Sequence, residues 1–211
     1  MSRLLSPSSL PLAALLVCGA LAPSQAQGAP SPATAVSASP SALGALERHH
    51  KRLSDMVKAK AKQRDLQAVV DPMLDYHWLA EATLGGSSRA PSVCGERCVE
   101  FEGLLQRLVR RNYLRLIEDA AGRPVSFEGQ VAGKNHVFKV TTKVTTVKNG
   151  RTQSMTIAYV MHESDGTFTV RDIITDGVSL VRTYRYEFRT MARDGGIARI
   201  IDNLKSKLAA G

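Results

Sequence analysis

The chain has 211 residues, 44% hydrophobic and 22% charged, which suits a single domain with a real core and excludes a disordered or fibrous protein. Its formal net charge is +9; that favours acidic partners such as an anionic lipid surface or an acidic protein face, although a basic solvated surface is the simpler reading. No aromatic-rich basic motif of the nucleic-acid-binding kind occurs, so no nucleic-acid partner is expected.

The first segment reads as an export signal. Arg3 precedes the apolar run Leu10–Ala22, and Ser24-Gln25-Ala26 supplies small residues for cleavage, so residues 1–26 are expected to be a secretory signal peptide. The run is too short to span a bilayer comfortably. Cys18 raises a lipoprotein alternative, which Val17, a poor residue before a lipidated cysteine, argues against. Residues 27–41 are rich in Ala, Pro and Ser and read as a flexible leader. A single domain over 42–209 is expected to follow.

Leu43, Leu46, His50, Leu53 and Val57 recur at helical spacing, predicting an amphipathic helix with Arg48, Lys51, Arg52 and Lys58 on its wet side. Next come Leu66, Val69, Val70, Met73 and Leu74, interrupted by Asp71-Pro72. Proline suits the first turn of a new helix, with Asp71 as its cap. That helix carries Leu74, Trp78, Leu79 and Ala82 and ends near Gly85-Gly86. His77 reads as a packed or surface histidine rather than a base. A polar loop leads to Cys94 and Cys98. In an exported chain such a pair is best read as a disulfide, closing a loop so short that it sets local shape more than global stability. No CxxC and no neighbouring His supports a redox or metal role, and no metal is expected. Phe101, Leu104, Leu105, Leu108, Val109, Tyr113 and Leu116 then define a long amphipathic helix that Pro124 forbids from continuing.

From Val125 the period becomes two. Val125, Phe127, Gly129 and Val131 alternate with polar residues; Phe138, Val140 and Val144 share one face of a long strand; Met155, Ile157, Tyr159 and Met161 share one face of the next. Asn149-Gly150 and Asp165-Gly166 are hairpin signals. A strand over Thr167–Thr175 places Phe168, Val170 and Ile174 inward, with Asp172 on the same face. Asp176-Gly177 marks a switch to helical spacing, where Asp176 or Ser179 can cap. Helices over Val178–Arg193 and Ile197–Leu208 close the chain, separated by Gly195-Gly196. The expected class is α+β: an antiparallel meander of about four strands covered by N-terminal and C-terminal helices, an arrangement that can leave an apolar pocket between them.

HExxH, GxSxG, P-loop and GxGxxG motifs are absent. Asp172 is the only carboxylate set against a clear apolar pattern. It reads as a structural acid that pairs with Arg182 or Arg185 or caps the following helix. The rival reading makes it the general base of a small open-cone α+β enzyme. A third reading is a non-catalytic envelope interaction protein with a filled interior. Periodicity alone does not separate a filled core from a ligand cavity.

Three stretches carry a family resemblance. Val69–Gly85, Phe101–Tyr113 and the run Val170-Arg171-Asp172 followed by Gly177–Val181 and Tyr184–Phe188 resemble the MlaC-type toluene-tolerance family of periplasmic phospholipid-binding proteins. The family's Trp after Leu-Gly is replaced here by Gly86-Ser87-Ser88, and its Trp before V-x-D by Phe168. The resemblance implies a non-enzymatic periplasmic carrier without cofactor. Its cargo would be phospholipid, passed between an inner-membrane ABC transporter complex and an outer-membrane lipoprotein/porin complex. Combined with inward periodicity, it nominates Tyr76, Leu79, Leu105, Val109, Tyr113, Val140, Met155, Ile157, Tyr159 and Val170 as tail-contacting.

Overall fold

The computed structural model describes residues 41–148 and 151–210. The expected signal peptide and all but Ser41 of the expected leader lie outside the described residues, as does the Asn149-Gly150 turn. The element order is α1 Ala42–Lys58, α2 Gln63–Val70, α3 Tyr76–Leu84, α4 Ala90–Cys94, α5 Cys98–Ala120, β1 Val125–Ala132, β2 Val137–Lys148, β3 Arg151–Ser164, β4 Thr167–Thr175, β5 Val178–Ser179 and α6 Leu180–Ala209. The sheet is an antiparallel meander in the order β1-β2-β3-β4-β5, and one of its faces shares a buried cluster with the helices. This is the expected α+β class, with a two-residue fifth strand in addition.

The cross-strand pairs explain why this face is covered. Phe138 lies opposite Met161, Val140 opposite Tyr159, Thr142 opposite Ile157 and Val144 opposite Met155. Val140, Val144, Ile157, Tyr159 and Met161 are all buried, and such pairs stabilise a sheet only when a second layer excludes water from them. Leu46 and Leu53 of α1, Leu105, Leu108 and Tyr113 of α5, and Val181 and Phe188 of α6 belong to the same cluster. Thr142 is polar and buried, and its hydroxyl donates to the Ile157 carbonyl at 3.0 Å, so its burial leaves no donor unmet.

Two bulges break the period of two. In β4 the register shifts between Val160 and Met161: Val160 faces Asp172 while Met161 faces Val170, leaving Arg171 as the extra residue. One inserted residue turns every later side chain to the opposite face. Phe168 and Val170 therefore point inward before the bulge and Ile173 after it, and all three are buried. This corrects the expectation that Ile174 and Asp172 share the inward face. In β1 the shift lies between Phe127 and Gly129. Gln130 is thereby turned to the helical side, where its Oε1 accepts from the Leu43 amide at 2.8 Å. Val131, expected inward, is 69% exposed.

The turns follow local chemistry. Asp165-Gly166 and Asp176-Gly177 both have positive φ at each residue, the backbone of tight two-residue hairpins. Asp176-Gly177 is thus a turn into β5, and the helix begins two residues later than expected. Ser179 caps it, its Oγ accepting from the Arg182 amide at 3.0 Å.

The entry to α3 also differs from expectation. Asp71–Met73 is a single 3-10 turn, not the start of the helix. Leu74 is extended and bridges Val170 of β4. Asp75 is the cap, accepting from the Trp78 amide at 3.1 Å. The Asp75 carboxylate also pairs with the bulge residue Arg171 at 2.9 Å, so one side chain starts a helix and ties it to the sheet. Asp71 instead accepts from Arg110 of α5 at 2.6 Å and from the Tyr76 hydroxyl at 3.0 Å. Cys94 and Cys98 are joined as a disulfide across the α4–α5 junction, their Cα atoms 4.8 Å apart. Helix α6 consists of two arms, because Gly195 and Gly196 leave helical geometry, with Gly196 at φ 63° and ψ −158°.

Candidate functional site

Helix α5 crosses the inner face of the sheet, and α6 starts from its β5 edge. Where α5 diverges from β4, β5 and the first turns of α6, an apolar cleft of about 330 Å³ opens. Its walls are Val109, Tyr113 and Leu116 from α5, Ile173, Thr175 and Val178 from the sheet, and Leu180, Thr183 and Tyr184 from α6. Asn112 closes one side, its amide donating to the Tyr184 hydroxyl at 3.5 Å. The strand at this edge of the sheet, β5, is only two residues long.

Further inside, a cavity of about 10 Å³ lies between α1, α5 and the sheet, against Leu46, His50, Phe127, Ile157 and Tyr159. That is about the size of one water. Tyr113 and Leu116 line both spaces and form the partition between cleft and interior. His49 of α1 stacks on Tyr113 with ring centroids 6.2 Å apart.

The electrostatics of these walls are neutral. Burial pushes the Tyr113 phenol well above its ordinary value, with Tyr159 and Tyr76 adding to the effect. Burial alone raises Tyr159, and burial followed by Asp71 raises Tyr76. His49 is pushed down to about 4, first by burial and then by His50 and Arg52. A space lined this way suits apolar matter and repels ions.

Of the nominated residues, Val109 and Tyr113 line the cleft, and Tyr113, Ile157 and Tyr159 line the inner cavity. Val140 and Val170 are fully buried in the sheet face behind them, and Leu79 and Leu105 lie in the helical core. Met155 is partly buried beside the cluster. Tyr76 is held at the edge by Asp71, with the Arg110 guanidinium 6.0 Å from its ring centroid. The cleft residues missed in the sequence are Ile173, which the bulge turns inward, and Leu180, Thr183 and Tyr184, whose place depends on where α6 starts.

Asp172 is not ion-paired to Arg182 or Arg185. One carboxylate oxygen accepts from the Ser179 hydroxyl at 2.6 Å and the other from the Val181 amide at 3.1 Å. The latter oxygen also accepts from the Ile173 amide at 2.9 Å. Arg185 instead donates from Nε to the Ala82 carbonyl at the end of α3, at 2.7 Å. Among the described residues no group of three or more His, Cys, Asp or Glu is placed to hold a metal ion. No helix there is long and apolar enough to cross a membrane.

An open antiparallel sheet, one face closed by helices that leave an apolar cleft at its edge, defines a cavity-bearing α+β fold of the ligand-holding kind. Residues 42–206 match the family model described as MlaC protein, and the chain belongs to that family. A solved structure, described as the phospholipid-binding protein from Ralstonia solanacearum in complex with a phospholipid, has the same fold. It matches with a TM-score of 0.62 and 19% identity, over 80% of this chain and 97% of that one. No curated protein matches the chain.

Proposed function

We propose that this protein is a phospholipid carrier whose acyl tails enter through the cleft between α5 and the β4–α6 edge and lie against the inner sheet face. The observation that carries the reading is the cleft itself, about 330 Å³ with apolar walls, leading past Tyr113 toward the buried face of β2 and β3. Membership of the MlaC family and the Ralstonia solanacearum protein, which holds a phospholipid on the same fold, support it. Small-molecule sites run from about 300 to 1,000 Å³, so one cleft of this size receives part of a two-tailed lipid. The tails gain the rest of their room as α1 and α5 part from the sheet along the Tyr113–Leu116 partition.

The carrier acts in the periplasm after removal of residues 1–26, without cofactor. It exchanges cargo between an inner-membrane ABC transporter complex and an outer-membrane lipoprotein/porin complex. Two long acyl chains represent on the order of 20 kcal/mol of burial. Release into water is therefore far too slow to serve, and exchange takes place only where another apolar surface meets the cleft. The rival enzyme reading needs a free Asp172 carboxylate, whereas both of its oxygens hold the β5–α6 corner.

Organic extraction of the purified protein followed by mass spectrometry tests the proposal. A stoichiometric phospholipid is expected, and Thr183→Trp, on the exposed lip of the cleft, should reduce the recovered lipid several-fold while leaving the melting temperature within a few degrees. Equal lipid recovery from wild type and variant would show that tails do not pass this lip, and no lipid in either would end the carrier reading.

A further inference from the structure

The front arm of α6 carries a row of cations. Arg182, Arg185, Arg189 and Arg193 recur at steps of three, four and four, which keeps them on one stripe of helix about 16 Å long. All four are exposed. Among the described residues none lies within ion-pair distance of a carboxylate; the nearby Glu187 is held by Lys207 at 2.7 Å. Arg89, from the α3–α4 connection, joins Arg185, Arg189 and Arg193 around a groove of about 800 Å³.

Two apolar side chains accompany the row. Tyr186 is 76% exposed among the arginines, and Val178 is 63% exposed at its start. A second hollow runs over Val178, Arg182, Thr183, Tyr186 and Arg189, and Val178 and Thr183 also line the apolar cleft. The arginine row thus begins at the lip of the cleft.

We propose that this face of α6 docks the protein on an anionic phospholipid leaflet, arginines on lipid phosphates and Tyr186 and Val178 at headgroup depth. The inference deepens the carrier reading and rests on it for its purpose: docking here sets the mouth of the cleft against the bilayer. An acidic protein face would satisfy the arginines alone. It gives no reason for the strip to run into an apolar opening. A leaflet accounts for both, being anionic outside, receptive to aromatic rings at the headgroup level and apolar beneath. Guanidinium suits the task because its planar fork binds phosphate through two hydrogen bonds at once.

Co-sedimentation of the purified protein with phosphatidylethanolamine–phosphatidylglycerol vesicles and with phosphatidylcholine vesicles tests the proposal, at low and high salt. Binding to the anionic vesicles alone, weakened by salt, is expected. Arg189→Gln/Arg193→Gln, outside the cleft, should weaken it about thirtyfold, with melting temperature and extracted lipid unchanged. Tyr186→Ser should weaken it as well at constant charge. Equal binding to both vesicle types, or no loss in the arginine double variant, overturns the proposal. Retention on a glutamate-rich peptide column with no vesicle binding also overturns it, in favour of an acidic protein partner. The two readings fail separately: absence of extracted lipid sinks the carrier, and absence of vesicle binding sinks the docking face.

Discussion

Asp172 shows what a single carboxylate does when its partners are backbone and hydroxyl rather than arginine. It accepts from Ser179, Val181 and its own neighbour Ile173, so it fixes the first turn of α6 against β4 and thereby places Leu180, Thr183 and Tyr184 on the cleft. Asp172→Asn keeps the shape but loses the charge, and its Nδ2 stands where an oxygen accepted from the Ser179 hydroxyl, so that bond must reverse. A loss of about 1–3 kcal/mol is expected, read as a fall of several degrees in melting temperature. Lipid recovered from the surviving folded fraction should change less. A larger effect on lipid than on stability would make Asp172 a direct ligand contact. The sequence singled out this residue by placing it on the inward apolar face, which the bulge at Arg171 overturns, and it did not show the partners. The nearest arginines by number, Arg182 and Arg185, stand on outward stripes of α6, and only the two-residue strand β5 brings Ser179 back beneath the carboxylate.

At the scale of elements, helices α1 and α5 and the long strands were legible because their apolar residues repeat over many positions. The errors fall where one residue changes the count. Arg171 in β4 and Glu128 beside Gly129 in β1 are extra residues in the ladders, and a strict period of two cannot register them. Proline at 72 suggested a helix start. The competing constraint was the bridge from Leu74 to Val170, which holds the chain extended and moves the cap to Asp75. The Cys94–Cys98 pair, in contrast, joins elements adjacent in sequence. Closing so short a loop limits its contribution to about 2 kcal/mol on chain-entropy grounds. Cys94→Ser/Cys98→Ser should therefore lower stability by no more than that in denaturant titration and leave extracted lipid intact. Loss of the lipid would tie this junction to the cargo.

For the whole molecule, the positive charge and the neutral interior together set the response to acid. His49 is held at about 4, against about 6.5 in an unfolded chain, and its Nε2 is buried without a hydrogen-bond partner. The unfolded chain takes up a proton that the folded one resists. Stability should therefore fall as pH drops from about 6.5 to about 4 and level off below, by up to about 3 kcal/mol from this residue. His50, lowered by burial and then by Lys58, acts in the same direction. His77, raised chiefly by its hydrogen bond to Glu102, acts in the opposite one, but it sits in solvent and its share is small. Thermal melts across this range should show the decline, and His49→Phe should flatten it. An unchanged slope in that variant would place the acid sensitivity elsewhere.

The break in α6 has a mechanical meaning. An unbroken helix of this length would be a stiff rod of about 45 Å, transmitting any push on one end to the other. Gly196 instead adopts a backbone region that side-chain-bearing residues scarcely enter, and a Cβ at Gly195 would press on Arg199 at 3.1 Å. The rod is thus cut into two levers. The rear one is clamped by Ile200, Ile201 and Leu204, all fully buried, and by Arg111, which donates to the carbonyls of Lys207 and Leu208. The front one carries the wall of the cleft. The front arm is held in its own right, by Phe188, buried against Phe101, and by Arg185 on the Ala82 carbonyl, so the glycines let each arm take the direction that its own packing sets.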